Sequence, residues 1–272
     1  MMRLLLLFSL LLPSLLIARP LSLMVSVPPL QTLAQQLGGD RVRVQSLVRP
    51  GENPHRYEPT PKQIAALAQA DLYLYLGIPF EQAWIRRIRA AHPQLRVLDL
   101  PNLLQGQLHR AFDPHIWTDP QLTKQMLRAL GDALISLDPP HRKDYARRYQ
   151  KLAQALDQLD QEIRVQLQDR SPRAFLVFHP AWGYFAQRYG LTQLAIEQEG
   201  KEPGPRALAD LIAQARRAGL RAVFVQPQFN PKAAEQIARA IGGRVVPLDP
   251  LAPDYFENLR RVARAIAQSA NP

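Results

Sequence analysis

Three histidines and one aspartate in this 272-residue chain have the residue types and positions of a metal-binding set. His55 and His115 lie in the first half of the chain, and His179 and Asp249 lie in the second half. Three imidazole nitrogens and one carboxylate oxygen complete the coordination of a divalent transition metal. The division of these ligands between the two halves predicts a site in a cleft between two lobes.

The position of these residues relative to apolar runs separates them from the other histidines. His179 and Asp249 directly follow strand-like runs, and His55 lies in the loop after another. In open parallel sheets, ligands bind beyond the carboxyl ends of the strands. Taken singly, each residue also fits a structural role, so their joint occurrence is what favours a metal site. We expect His109, in the loop before His115, to be solvated rather than an auxiliary ligand.

Strands alternate with helices along both halves of the chain, which is typical of parallel sheets covered by helices on both faces. The apolar runs predict strands at 21–27, 42–48, 71–76, 96–100, 174–178, 193–196, 222–225 and 245–248. Helices are predicted between and after them, at 30–37, from Thr60 onward, and at 80–91, 182–189, 208–218, 231–240 and 254–267. The fold class is therefore α/β.

One long helix is predicted in the middle of the chain. Apolar residues recur every three or four positions from Tyr145 to Leu167, and no glycine interrupts them. Such a helix spans roughly 40 Å, which is longer than a small lobe needs. We therefore expect an N-terminal lobe at 19–138, a linking helix at 139–170 and a C-terminal lobe at 171–272.

A short element occurs twice in the chain. A helical run, a Gly-Gly pair, a strand-like run and then a proposed ligand follow one another before His55 and again before Asp249. The glycine pairs are Gly38-Gly39 and Gly242-Gly243. This likeness supports two lobes that are built alike.

Residues 1–18 have the pattern of a secretory signal. A basic start is followed by an apolar run from Leu4 to Leu12, and Ala18 precedes Arg19. The alternative is a membrane anchor, but the run is shorter than the roughly 20 apolar residues that cross a bilayer. The chain has no cysteine, so disulfides, thiolate ligands and a lipid-modified cysteine are excluded. We expect a soluble protein of the bacterial periplasm.

The net charge of +11 raises the question of a nucleic-acid partner. Arginines and lysines are scattered over the predicted helices, as at 86–89 and 260–264, and form no single basic tract. We therefore expect solvated helix faces and no nucleic acid. A positive protein gains no long-range attraction for a cation, so metal capture must come from the local site.

Four segments resemble sequences of a known protein family. They are Pro50–Pro61, Asp113–Trp117, Phe178–Phe185 and Leu248–Leu251. Over essentially the whole mature chain, the sequence resembles the metal-binding receptors of bacterial zinc and manganese ABC importers, the cluster A-I or TroA-like proteins. The resemblance implies two α/β lobes, each with a mainly parallel sheet, joined by one long backbone helix, with the metal between them.

The resemblance also implies the role of each proposed ligand. It assigns His55 and His115 to the N-terminal lobe, and His179 and Asp249 to the C-terminal lobe. It implies a receptor that delivers its metal to an inner-membrane permease, and not an enzyme. We expect this receptor to be a monomer.

The identity of the expected metal depends on the residue at position 179. A nitrogen-rich site favours zinc over manganese, which prefers harder oxygen ligands. Manganese-specific members of the family tend to have Glu where this chain has His179. We therefore expect Zn²⁺ as the transported ion, with Mn²⁺ as the alternative. Because protonated histidine binds no metal, we expect the affinity to fall as the pH drops through roughly 6–6.5.

Three further points are left open by the sequence. Each imidazole needs an acceptor on its other nitrogen, and Glu58 and Glu199 are candidates. A zinc hydrolase is an alternative, although it would need an open coordination position and a general base. A receptor for haem or a siderophore is another alternative, with a cleft lined by Trp117, Trp182 and Tyr184.

Overall fold

The structure is a computed structural model that describes residues 19–107, 113–169, 171, 173–197, 201 and 203–269. The predicted signal at 1–18 lies outside these described residues, and so do His109 and Glu199. Within the described ranges, no helix has both the length and the apolar character needed to cross a membrane.

The N-terminal lobe is built on a four-stranded parallel sheet. Its strands are β1 (Leu21–Val25), β2 (Val42–Ser46), β3 (Leu72–Tyr75) and β4 (Arg96–Asp99), in the order β2-β1-β3-β4. The connecting helices are α1 (Pro28–Gly38), α2 (Pro61–Ala68), α3 (Pro79–Ala91) and the short α4 (Leu100–Leu103). Helix α2 begins with a capping box, in which the Thr60 hydroxyl and the Gln63 side chain each accept a backbone N–H of the other residue.

Two long helices connect the lobes. They are α5 (Pro120–Leu137) and α6 (Arg142–Leu167), and they pack along each other. Helix α6 has 26 residues, which fits the predicted long helix. Helix α5 is absent from the sequence-based expectations, although Asp119 caps it through the backbone N–H of Gln121 and Leu122. The link between the lobes is therefore a pair of packed helices.

The C-terminal lobe repeats the parallel sheet. Its strands are β5 (Ala174–Val177), β6 (Thr192–Ala195), β7 (Ala222–Val225) and β8 (Arg244–Pro247), in the order β6-β5-β7-β8. Its helices are α7 (Gly183–Arg188), α8 (Pro205–Arg217), α9 (Lys232–Ala240) and α10 (Tyr255–Gln268). The predicted class of two parallel-sheet lobes joined by a long helix is confirmed, while the limits of the domains stay a prediction.

The hydrophobic core has two parts of unequal size. The larger cluster runs from the N-terminal sheet through α1, α5 and α6 to α10, and includes Leu23, Leu130, Leu156 and Leu259. A smaller cluster lies in the C-terminal lobe between its sheet and helices α8 and α9, and includes Ile237. Because the larger cluster is continuous across both lobes, the lobes cannot swing apart without exposing apolar surface.

Candidate metal centre

Loops beyond the carboxyl ends of the strands place the predicted ligands. His55 follows β2, and its loop is held in shape by two hydrogen bonds. The Asn53 side chain accepts the backbone N–H of His55 at 2.9 Å, and the Tyr57 hydroxyl donates to the Leu47 carbonyl at 2.8 Å. Gly51 supplies the positive φ of 87° that lets the loop turn.

The structure brings the three predicted histidines together from both lobes. One ring nitrogen of each residue lies within 4.8 Å of those of the other two, for His55, His115 and His179. The Nε2 atoms of His55 and His115 are 3.5 Å apart. Two nitrogens on one tetrahedral zinc, each ~2.0–2.1 Å from it, are themselves about 3.4 Å apart. The spacing of this pair therefore suits a shared metal ion.

Carboxylates orient two of the three imidazoles. Asp113 Oδ1 lies 2.6 Å from Nδ1 of His115, and Glu197 Oε2 lies 2.8 Å from Nδ1 of His179. A carboxylate accepts a hydrogen bond from Nδ1–H, so Nε2 of each ring carries the lone pair. Nε2 of His179 is buried and has no hydrogen-bond partner among the described residues. This arrangement is the one that a metal ligand requires.

Burial disfavours the protonated form of two of the histidines, His55 and His179. Desolvation, followed by the neighbouring His115 and His179, lowers the pKa of His55 to about 3. Desolvation also lowers the pKa of His179, although its bond to Glu197 opposes that shift. The ligand form of these rings therefore persists to lower pH than the 6–6.5 expected from free imidazole.

Asp249 follows β8 as predicted, but its carboxylate is not in the close group of histidine nitrogens. Its Oδ1 accepts the side-chain N–H of Gln228 at 3.1 Å and the backbone N–H of Leu251 at 2.9 Å. The loop itself is fixed from the other lobe, because the Trp117 indole donates to the Pro250 carbonyl at 2.8 Å. The role of Asp249 as the fourth ligand stays a prediction.

Two imidazoles have carboxylate partners that the sequence analysis did not name, Asp113 and Glu197, while the candidate Glu199 lies outside the described residues. Glu58 is exposed, and none of the hydrogen bonds described on the three rings reaches it. The pairing of β5 with β6 explains why Glu197 meets His179, because Val177 of β5 lies opposite Ala195 of β6. Two residues further on, His179 and Glu197 meet at the same sheet edge. For Asp113, the sequence itself offered an indication, since a carboxylate two residues before His115 can reach its ring.

The fold and the site together define the class of the protein. Two parallel-sheet lobes with imidazoles converging between them make a metal-binding receptor. The chain matches the family model described as "Zinc-uptake complex component A periplasmic" over residues 23–269, and it belongs to this ZnuA family. Members of this family are solute-binding receptors of ABC importers for metals, and not enzymes.

Individual relatives span nearly the whole chain. A metal-binding protein of Chlamydia muridarum is 31% identical over 248 residues, which is 90% of each chain. The iron-binding protein YfeA of Yersinia pestis is 27% identical, covering 88% of this chain and 83% of its own. Two crystal structures, ZnuA and a zinc-bound ZnuA deletion mutant, are 39% identical with a TM-score of 0.86. They cover 93% of this chain and 100% and 99% of their own chains.

Proposed function

We propose that this protein captures Zn²⁺ outside the cytoplasm, in the cleft between its lobes, and delivers it to an ABC permease in the membrane. His55, His115 and His179 supply three nitrogen ligands, and Asp249 supplies the fourth ligand once an ion is present. The protein acts as an exported periplasmic monomer, and the permease reads the metal-loaded form.

The observation that carries this proposal is the orientation of the rings. Asp113 and Glu197 accept hydrogen bonds from Nδ1–H of His115 and His179, so Nε2 is the free nitrogen of each ring. One ring nitrogen of each of the three histidines lies within 4.8 Å of the other two. Burying three imidazoles side by side costs free energy, because their polar nitrogens lose contact with water. A bound cation offsets this cost. The nitrogen-rich set favours zinc, and the zinc-bound ZnuA mutant supports this choice.

A manganese or mixed-metal receptor is the second candidate. The iron-binding relative of Yersinia pestis indicates that this scaffold also serves other metals. A receptor for haem or a siderophore has less support, because Trp117, Trp182 and Tyr184 are 2%, 1% and 2% exposed. These rings pack in the protein interior and do not line a roomy cleft.

The test is elemental analysis of protein purified without added metal, followed by competitive titrations with Zn²⁺, Mn²⁺ and Fe²⁺. We expect stoichiometric zinc in the wild type and a shift toward manganese in His179→Glu. Preferential binding of manganese by the wild type would overturn the choice of zinc. Binding of no transition metal would overturn the receptor function itself.

A further inference from the structure

Strand β7 lies between the two strands that precede the predicted ligands of the C-terminal lobe. In the sheet order β6-β5-β7-β8, β7 is flanked by β5, which leads to His179, and by β8, which leads to Asp249. The residues directly after β7 are Gln226-Pro227-Gln228-Phe229. Because the three strands are parallel, their carboxyl ends meet at one edge of the sheet. This segment is therefore placed to contact both ligands.

Two residues of the segment fix His179. Gln226 is 2% exposed, and its amide nitrogen donates to the His179 carbonyl at 2.9 Å. Its amide oxygen accepts the backbone N–H of His179 at 3.4 Å. The ring of Phe229 stacks on the imidazole of His179, with centroids 5.2 Å apart and planes inclined by 18°. Both the main chain and the ring of this ligand are therefore held from β7.

Gln228 contacts the other ligand, Asp249. Its amide nitrogen donates to Oδ1 of Asp249 at 3.1 Å, and the backbone N–H of Leu251 donates to the same oxygen at 2.9 Å. The amide of Asn258 donates to the backbone carbonyl of Asp249 at 2.7 Å, which fixes the main chain. Among the residues that the structure describes, both donors to this carboxylate therefore reach Oδ1, and none reaches Oδ2.

The occupied oxygen limits how the carboxylate can bind an ion. Each oxygen of an ionised carboxylate has two lone pairs, and the donors from Gln228 and Leu251 engage both lone pairs of Oδ1. Oδ2 is then the oxygen that can bind a metal. One carboxylate oxygen and three imidazole nitrogens make the four-ligand shell that zinc prefers. Manganese prefers six ligands that include more oxygens, so it would gain from a second bond, to Oδ1.

We propose that Gln228 is a specificity-determining residue, which engages Oδ1 of Asp249 and so restricts this carboxylate to a single bond with the metal. Gln228 is a positioning residue, because it acts on the metal only through Asp249. Without its amide, one lone pair of Oδ1 becomes free, and the carboxylate can bind an ion through both oxygens. The site then discriminates less against manganese. This inference rests on the proposed function, in which Asp249 is the fourth ligand.

Competitive titrations with Zn²⁺ and Mn²⁺, together with the visible absorption of the Co²⁺-substituted protein, test the proposal. We expect Gln228→Leu to lower the ratio of zinc affinity to manganese affinity by about tenfold, the scale on which hydrogen-bond partners of metal ligands act. The absorption bands of Co²⁺ should weaken as well, because five-coordinate Co²⁺ absorbs less strongly than tetrahedral Co²⁺. Gln236→Leu, on the exposed face of α9, is the matched control and should behave like the wild type in both measurements.

A double variant tests whether Gln228 acts through Asp249. In the Asp249→Ala background, the further substitution Gln228→Leu should leave the ratio of the two affinities unchanged, because the carboxylate on which Gln228 acts is gone. A tenfold shift of the ratio in that background would overturn the positioning role.

The remaining outcomes separate this inference from the proposed function. Equal losses of zinc and manganese affinity in Gln228→Leu, with unchanged cobalt bands, would mean a purely structural role and would overturn the proposal. Unchanged affinities for both metals would overturn it too. If Asp249→Ala binds both metals like the wild type, Asp249 is not a ligand and the proposal fails, while zinc capture by the histidines stands. If His179→Ala binds zinc as tightly as the wild type, the proposed function itself fails.

Discussion

The two lobes have sheets of the same strand order, yet they hold their histidines differently. In the N-terminal lobe, the acceptor for His115 is Asp113, two residues before it in the same loop. In the C-terminal lobe, the acceptor for His179 is Glu197, which is 18 residues away at the end of the neighbouring strand. A repeated sheet therefore does not imply a repeated site. The N-terminal histidine is oriented by local sequence, and the C-terminal histidine by strand register.

The ligands also leave the two sheets at different places. His55 follows β2 at the edge of its sheet, whereas His179 follows β5, which occupies the interior position of β1 in the other lobe. The two Gly-Gly elements, at Gly38 and Gly242, precede β2 and β8, which lie at opposite ends of the common strand order. The short repeat predicts two similar lobes correctly, although its copies are not equivalent elements.

Removing one ligand from either lobe should have the largest effect. We expect His179→Ala and His55→Ala each to lower the zinc affinity by about 100-fold or more, a quarter of the binding free energy of a four-ligand site. Competition with a fluorescent zinc chelator measures this. His92→Ala, outside the close histidine group, is the control. A loss of less than tenfold for either variant would mean that the substituted histidine is not a ligand.

Removing the carboxylate behind each histidine should have the next largest effect. We expect Glu197→Gln and Asp113→Asn each to weaken zinc binding by about 10–100-fold, because the rings lose their charged acceptors. The same competition assay applies, with exposed Glu235→Gln as the control. If only Asp113→Asn weakened binding, orientation by strand register would be irrelevant and the contrast between the lobes would disappear.

Removing one hydrogen bond between the lobes, from Trp117 to Pro250, should have a smaller effect. Trp117→Phe removes the indole donor to the Pro250 carbonyl and trims a buried ring. We expect the free energy of unfolding to fall by about 1–2 kcal/mol, as measured by urea denaturation. Trp84→Phe, on the half-buried face of α3, should cost less. Equal losses would indicate that the contact between the lobes adds nothing to stability.

Lowering the pH should have the smallest effect on zinc binding. Since burial lowers the pKa of His55 to about 3 and also lowers that of His179, we expect less than about a threefold loss of affinity between pH 7.5 and 6. A tenfold loss over this range would contradict the neutral, buried rings.

The same shifts set the sign of the pH effect on stability. In the unfolded chain, His55 and His179 take up protons below about pH 6.5, whereas their lowered pKa values disfavour this in the folded protein. The free energy of unfolding of the metal-free protein therefore falls as the pH drops from there toward the folded pKa of His55, about 3. Urea denaturation at several pH values measures this.

Much of the fold is predictable from local pattern, and the differences have physical causes. The strand expected at 21–27 ends at Val25, because Val27 is already the N-cap of α1, which begins at Pro28. Helix α2 begins as expected, since Thr60 and Pro61 are strong start signals. Helix α5 was not among the predicted elements, although Asp119 and Pro120 mark its start and its buried residues recur every three or four positions, as those of α6 do.

The site was predictable only in part. Residue type and strand-end position identified the three histidines that the structure gathers. Glu197 needed the register of β5 against β6, which depends on contacts between distant parts of the chain. The sequence predicts that Asp249 lies in the loop after a strand, and it does. Its hydrogen bonds to Gln228 and Leu251 depend on the tertiary structure, so residue spacing could not predict them.

The continuous core through α5, α6 and α10 holds the two lobes, and with them the three histidines, in a fixed arrangement. Because the rings are already gathered, little of the binding free energy is spent on rearranging the chain. Pre-organisation of this kind acts mainly by slowing dissociation, so the residence time of the ion should be long. Under the proposed function, unloading then requires work on the receptor from outside, supplied by the permease that would receive the metal.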